Sequence, residues 1–166
     1  MNEASLLIRS ETPNDRDGVF EMISAAFGQE AEARLVQALH EAGDGSVALV
    51  AEEDGLIVGH VLLSPIEGPF PALALAPLAV HPERQGTGVG SALVREALAR
   101  TAHGSWRAVF VLGDEGYYGR FGFSRELASG FSSPYAGEHF MALALNGELP
   151  VSRGELSHAP AFAALG

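Results

Sequence analysis

Two residue types are missing from the 166 residues: there is no cysteine and no lysine. Without cysteine there are no disulfides, thiolate metal sites or cysteine nucleophile, and no mark of an oxidising compartment. Without lysine the phosphate-binding P-loop is excluded, because it needs that side chain. The basic charge is all arginine, 10 residues against 21 acidic ones, for a net charge of −11. That is too little basic surface for a nucleic-acid partner, whose phosphates must be neutralised. An acidic surface confers solubility and is compatible with a cationic substrate. No apolar run reaches the roughly 20 residues of a membrane span. The opening "MNEASLLIRSE" lacks a basic segment followed by a long apolar stretch, so it does not read as a signal peptide. A cytoplasmic chain with no membrane role is expected.

The residues that are present have an ordinary globular composition, 47% hydrophobic with 20 glycines. The length suits one domain with a sizeable core. Residues 5–11, "SLLIRSE", read as a first strand. Thr12 and Pro13 then open a helix running to Phe27, with Phe20, Ile23 and Phe27 at helical spacing. A second helix is expected over 29–42, stopped by Gly43. "SVALVAEEDGLIVGHVLLSPI" reads as a hairpin about Asp54 and Gly55. A strand over 72–81, a helix over 89–102 and a strand over 105–113 follow. A helical turn is expected around "DEGYYGRFG", then strands in "GFSREL" and "EHFMALALN".

The order β-α-α-β-β-β-α-β-α-β-β implies an α/β (α+β) class, with a mixed central sheet and helices on both faces. Residues 1–146 form the expected domain. Residues 147–166 form an irregular tail packed on or near it, with Phe162 and Leu165 as an apolar anchor. The six histidines, His40, His60, His81, His103, His139 and His158, form no H-x-H or H-E-x-x-H, and no metal site is expected. No G-x-S-x-G nucleophile elbow occurs. His60 reads as a satisfied, half-buried strand residue, and His81 as part of the turn before Pro82.

The chemistry concentrates in "LAVHPERQGTGVGSALVREALAR", Leu78 to Arg100. Gly86, Gly88 and Gly90 stand just before a helical pattern. A helix N-terminus exposes unpaired N–H groups and a positive dipole end, and glycine lets those groups converge on an anion. The dinucleotide fingerprint needs G-x-G-x-x-G directly after a strand. The spacing here is G-x-G-x-G, several residues after Val80. Asp114, near the end of the next strand, keeps open a nicotinamide-dependent oxidoreductase. A further pattern, Q/R-x-x-G-x-G/A, is matched by Gln85, Gly88 and Gly90.

On these residues the sequence resembles the GNAT superfamily of acetyl-CoA-dependent N-acetyltransferases. "LAPLAVHPERQGTGVGSALVREAL" is similar to that family's cofactor motif, and "YYGRFGF", Tyr117 to Phe123, to its later Y-x-x-x-G-F element. "FGQEAEARLVQAL", "LGDEGYYGRFGF" and "GELSHAPAFAAL" further resemble the YhbS-like branch.

The resemblance implies acetyl-CoA as cosubstrate, held by Gln85, Gly86, Thr87, Gly88, Val89, Gly90 and Ser91 at its pyrophosphate. Arg84 would add charge. Leu78, Ala79 and Val80 would pair with the pantetheine arm, and a backbone N–H there would polarise the thioester carbonyl. Tyr118 would protonate the departing thiolate as general acid. Tyr117 beside it reads as a packed aromatic. Many members carry an asparagine where Phe110 stands here.

The implied activity is direct acetyl transfer to a primary amine, in a small molecule or a peptide. The alternative is a non-catalytic acyl-CoA-binding or regulatory domain of the same fold. A monomer or homodimer is expected. The strand "ALALAPLAV" offers no ionisable residue to take the amine's proton. Chain proximity leaves Glu67, Asp114, Glu115 and His81 as candidates for that base.

Overall fold

The computed structural model describes residues 6–102 and 104–165, with side chains described to Ala163. Ser5, expected to begin the first strand, His103, and the side chain of Leu165 lie outside the described residues. The first strand, β1 (Leu6–Ser10), leads through a single 3-10 turn into α1 (Arg16–Phe27). Thr12 caps that turn. The Asp15 carboxylate accepts the Thr12 N–H at 2.7 Å and an Arg9 N–H at 2.8 Å. Next come α2 (Ala31–Glu41), β2 (Val47–Glu53), β3 (Leu56–Ile66) and β4 (Ala72–Val80). The β2–β3 turn places Asp54 at φ 53° and Gly55 at φ 82°, the pair of left-handed residues that matches the twist of a tight hairpin. The chain continues with α3 (Val89–Thr101), β5 (Ala108–Leu112), α4 (Glu115–Tyr118) and α5 (Arg125–Ala128). It ends in β6 (Phe131–Ser132), β7 (Phe140–Ala144), β8 (Gly154–Glu155) and a 3-10 turn over Pro160–Leu165.

The main sheet runs β1-β2-β3-β4-β5-β7. Every pair is antiparallel except β4–β5, which is parallel and joined across α3. Helices cover both faces, as the sequence pattern implies. On one face Leu49, Val61, Leu63, Leu73 and Leu75 pack against Val89, Leu93, Val94 and Ala97 of α3. On the other, Val50, Leu62 and Ala79 meet Val19 and Ile23 of α1 and Leu35 and Leu39 of α2. A third cluster at the β5–β7 end gathers Ala74, Ala108, Phe110, Phe131 and Phe140. There Phe110 stacks on Phe140 with ring centroids 5.4 Å apart.

The structure corrects four expectations. "GFSREL" is not a strand: Ser124 makes only an isolated bridge to Ala142, and its side chain then caps α5 by accepting the Leu127 N–H at 3.3 Å. The tail is not irregular throughout, because β8 pairs in parallel with β6 and Ser157 bridges to Glu67. Phe162 is buried, as an anchor should be. Phe27 is 41% exposed rather than inward, since α1 ends there at the left-handed Gly28. The strand expected over 105–113 is confined to Ala108–Leu112, paired with β7 throughout and with β4 over its first three residues.

Two packing devices hold this frame. Gly59 of β3 lies under α3, where an added Cβ would come within 2.8 Å of Val89 and Leu93. Beneath α1 and α2, Glu11 has no exposed side-chain surface. Its Oε1 accepts from His60 Nε2 at 2.7 Å and His40 Nε2 at 3.0 Å, and Arg16 Nε lies 3.0 Å from its Oε2. Burial alone would push the Glu11 carboxyl up. The hydrogen bonds from His40 and His60 outweigh it and bring the carboxyl down to about 2. His60 is fully buried rather than half-buried, and its Nδ1 has no hydrogen-bond partner among the described residues.

Overpacking a well-filled core costs about 1–3 kcal/mol. Gly59→Val should therefore lower Tm, by about 2–4 °C per kcal/mol for a chain of this size, in thermal melts. Because folding depresses the Glu11 carboxyl, its contribution is full above the ordinary value of 4.5 and is lost as pH falls from there toward about 2. Urea titrations between pH 6 and pH 3 should show the wild type losing stability more steeply than Glu11→Gln.

Candidate active site

The central feature is a gap between β4 and β5. They pair only at Ala72↔Ala108, Leu73↔Val109 and Ala74↔Phe110. Just beyond, the β3–β4 register steps from Leu63↔Leu75 to Val61↔Leu78, so Ala76 and Pro77 together oppose Leu62. This bulge increases the local twist, and Pro77 has no N–H to give to a ladder. It also resets the strand's phase. Leu73 and Leu75, and then Leu78 and Val80, face α3, whereas Ala76 and Ala79 face α1 and α2.

The His81 N–H donates to the Val58 C=O at 2.8 Å. By antiparallel alternation, the backbone of Ala79 also bonds to β3, and that of Leu78 and Val80 points away into the wedge. Gln85 Nε2 donates to the freed Val80 C=O at 3.2 Å. Of the three residues expected against the pantetheine arm, Leu78 and Val80 thus offer backbone groups to the gap, and Ala79 is buried behind it.

At the α3 side of the wedge stands the glycine turn. Gly86 has φ 79° and Gly88 φ 94°, backbone that favours glycine, and a Cβ at either would meet nothing within 4 Å. The requirement there is conformational, with open space over both. At Gly90 the requirement is proximity: a Cβ would come 2.9 Å from the Tyr117 Oη. The first bond inside α3 runs from the Ala92 N–H to the Gly88 C=O at 3.0 Å. The N–H groups of Val89, Gly90 and Ser91 are therefore left without helix partners. The Val89 side chain itself is core. Thr87 Oγ1 donates back to the Arg84 C=O and closes the turn.

A cavity of about 500 Å³ lies over these groups, lined by Leu78, Val80, Arg84, Gln85, Gly86, Gly88, Gly90, Ser91, Tyr117 and Arg120. Arg84 Nε is held by Glu53, so its charge is partly neutralised. Arg120, which sequence reasoning missed, lays its guanidinium 4.7 Å from the Tyr117 ring centroid. It sits inside the quoted "YYGRFGF" stretch, where its charge is the one signal that pointed to an anion.

The two tyrosines of that stretch divide. Tyr117 is more than a packed aromatic: it lines the cavity, and its Oη lies 3.4 Å from Ser91 Oγ. Tyr118 packs edge-on to Phe123, and a Cβ at Gly113 would meet its ring at 2.5 Å. Gly113 directly follows β5, and the missing side chain there makes room for the ring. Burial, and then Tyr117, push the Tyr118 phenol up to about 12. Phe110 is buried among Phe131 and Phe140 and holds up the aromatic end of the sheet.

None of the residues considered as base lines the wedge. Asp114 caps α4, its Oδ2 accepting the Tyr117 N–H at 3.0 Å. Glu115 lies 3.3 Å from Arg125 at the surface. His81 Nδ1 accepts the Glu83 N–H at 3.1 Å. The backbone of Glu67 pairs with that of Ser157. On the face of the wedge opposite α3, a second cavity of about 160 Å³ opens among Ala74, Leu75, Ala76, Phe110, Val111, Leu112, Tyr135, Phe140, His158 and Phe162. His158 comes from the tail, and chain distance hid it.

Among the described residues, Glu11, His40 and His60 are the donor types of a metal site brought within reach of one another. Both ring nitrogens already address one carboxylate oxygen, and Arg16 stands over the other. A cation beside that arginine is disfavoured, and the cluster reads as a buried hydrogen-bonded tie.

Residues 44–125 match the family model described as an acetyltransferase (GNAT) domain. Over 128 residues the chain is 39% identical to the uncharacterised N-acetyltransferase YhbS of Escherichia coli strain K12, covering 75% of each chain. The crystal structure of Escherichia coli YhbS in complex with CoA matches with a TM-score of 0.92 at 31% identity, over 100% of this chain and 96% of that one. A GNAT family acetyltransferase from Brucella melitensis, solved with acetyl-CoA, matches with a TM-score of 0.80 at 33% identity, over 96% of this chain and 99% of that one. With the glycine turn, the parted strands and these likenesses in agreement, the chain belongs to the GNAT acetyltransferase family.

Proposed function

We infer that this protein transfers the acetyl group of acetyl-CoA directly to a primary amine, with Tyr118 as general acid. The observation that carries the reading is the wedge itself. It offers backbone groups of Leu78 and Val80 that β5 does not pair, the glycine turn lies at one mouth, and the Tyr118 ring packs over Gly113 just past β5. Acetyl-CoA is the cosubstrate in this reading. Its pyrophosphate rests on the N–H groups of Gln85 to Ser91 at the start of α3, where the helix dipole favours an anion. The chain as a whole is acidic, so the cradle needs local positive charge. Arg120 supplies it, and Arg84 assists while held by Glu53.

The pantetheine arm extends β4 as a strand would, bonding to the Leu78 and Val80 backbone. An N–H of that segment polarises the thioester carbonyl and stabilises the negative charge that develops on attack. The amine nitrogen bonds to the carbonyl carbon, the C–S bond breaks, and the thiolate takes the Tyr118 proton. A phenol at about 12 stays protonated at neutral pH, as a donor must. Against a thiol of about 8.5 in water, full transfer would be uphill by roughly 3–4 units, or about 5 kcal/mol. The same exclusion of water raises the thiol too and narrows that gap. A non-catalytic acyl-CoA-binding domain would keep the cradle and have no use for this donor.

Gly88→Val should lower acetyl-CoA affinity more than tenfold in calorimetry while circular dichroism reports a retained fold. Unchanged affinity would remove the phosphate assignment. Tyr118→Phe should lower kcat by roughly a hundred- to ten-thousandfold with acetyl-CoA binding intact. Turnover unaffected at saturating amine would make Tyr118 a packing residue.

A further inference from the structure

The second cavity lies where the acceptor would meet the thioester. Its floor is the stretch where β4 and β5 have just parted, Leu75 and Ala76 against Val111 and Leu112. The cradle approaches the wedge from the α3 face; this cavity opens on the other. Every residue lining it is uncharged, and apart from His158 and Tyr135 every one is apolar. Its volume of about 160 Å³ is below the roughly 300–1,000 Å³ of sites for drug-sized ligands. It suits a small group next to the amine rather than a whole large metabolite.

His158 is held firmly there. Its ring stands edge-on to Tyr135 at 4.9 Å and to Phe162 at 6.0 Å between centroids. Its Nε2 lies 2.9 Å from Ser133 Oγ, an oxygen that also accepts the Tyr135 N–H at 3.1 Å. This contact allows two tautomers, one with Nε2–H donating to Ser133 Oγ and one with the Ser133 hydroxyl donating to Nε2. In the first, the other ring nitrogen, Nδ1, is a free base, and it has no hydrogen bond among the described residues.

We propose that His158 is the base that takes the proton from the attacking amine, and that the acceptor is a neutral amine carrying a small apolar group seated against Phe110, Phe140 and Phe162. This rests on the acetyl-transfer reading above and adds to it the proton acceptor and the substrate class. As the nitrogen bonds to the thioester carbon, its proton passes to Nδ1. The thiolate leaves with the Tyr118 proton, and the histidinium and phenolate exchange the difference with solvent. Burial pushes the His158 imidazolium below its ordinary range, so the ring is a neutral base at physiological pH. Tyr135 is the only other titratable group among the residues lining the cavity with it. With no carboxylate in that lining, an amine bearing a second positive charge finds no ion-pair partner, and a hydroxyl group exchanges water for a wall that is mostly apolar.

The test is thiol release from acetyl-CoA with isobutylamine and phenethylamine, against ethanolamine and putrescine. The two apolar amines should have kcat/KM at least tenfold higher. His158→Ala should lower kcat with isobutylamine by roughly a hundredfold, leave acetyl-CoA affinity unchanged, and regain activity on adding imidazole. His158→Asn, which keeps a polar group without a basic nitrogen, should show the same loss if the alanine variant folds poorly. The wild-type pH–rate profile should bend below the ordinary histidine value of about 6.5, and the variants should lose that bend.

Preference for ethanolamine or putrescine overturns the substrate class. Turnover within threefold of wild type in both variants, or no rescue by imidazole, overturns the base. Either result with acetyl-CoA bound and some amine acetylated leaves the acetyl-transfer reading standing. Failure to bind acetyl-CoA, or binding with no amine acetylated, removes both.

Discussion

The site depends on one mismatch in a β-ladder. Two residues, Ala76 and Pro77, stand opposite Leu62, and past that point β4 no longer runs beside β5. Backbone groups left unpaired inside a sheet are costly unless something satisfies them. Here the cost falls at Leu78 and Val80, whose N–H and C=O groups point into the gap. Gln85 satisfies one of them, and a bound extended chain would satisfy the others. An otherwise regular sheet thus carries an open slot between two of its strands.

The rest of the fold holds the two sides of that slot. On one face α3 sits close to β3 because Gly59 has no side chain, and this fixes where its N-terminus and the glycine turn lie. On the other face α1 and α2 are tied to the sheet through Glu11, His40 and His60, a polar group of three in an otherwise apolar layer. The stacked rings of Phe110 and Phe140 hold the β5 side.

The two cavities differ in chemistry as the two halves of the reaction do. The one beside α3 offers N–H groups, two arginines and hydroxyls, a setting for phosphate oxygens. The one across the wedge offers aromatic edges and one imidazole. In the proposed reaction an anionic cosubstrate and a neutral acceptor would meet from opposite faces of one sheet, each in surroundings that disfavour the other.

Much of this was legible along the chain, wherever the signal is local. Turn chemistry located the Asp54–Gly55 hairpin, helical spacing located α3, and the glycines before Val89 marked the turn that opens that helix, because backbone conformation and cap chemistry are decided within a few residues. What the sequence could not decide was which distant residues meet. "GFSREL" has strand-like composition, yet Ser124 caps a helical turn because its neighbour across the sheet is Ala142 alone. Tyr117 faces the cradle only because α4 turns it over Gly90, and no pattern distinguishes it from Tyr118 in that respect. Glu11, His40 and His60 share no spacing. His158 arrives beside Phe110 and Ala76 only because β8 pairs with β6 and carries the tail back over the open face of the wedge. Local sequence determined most of the elements and the glycine turn; the pairing of remote strands decided what stands across from it, since that depends on contacts whose partners lie far apart in the chain.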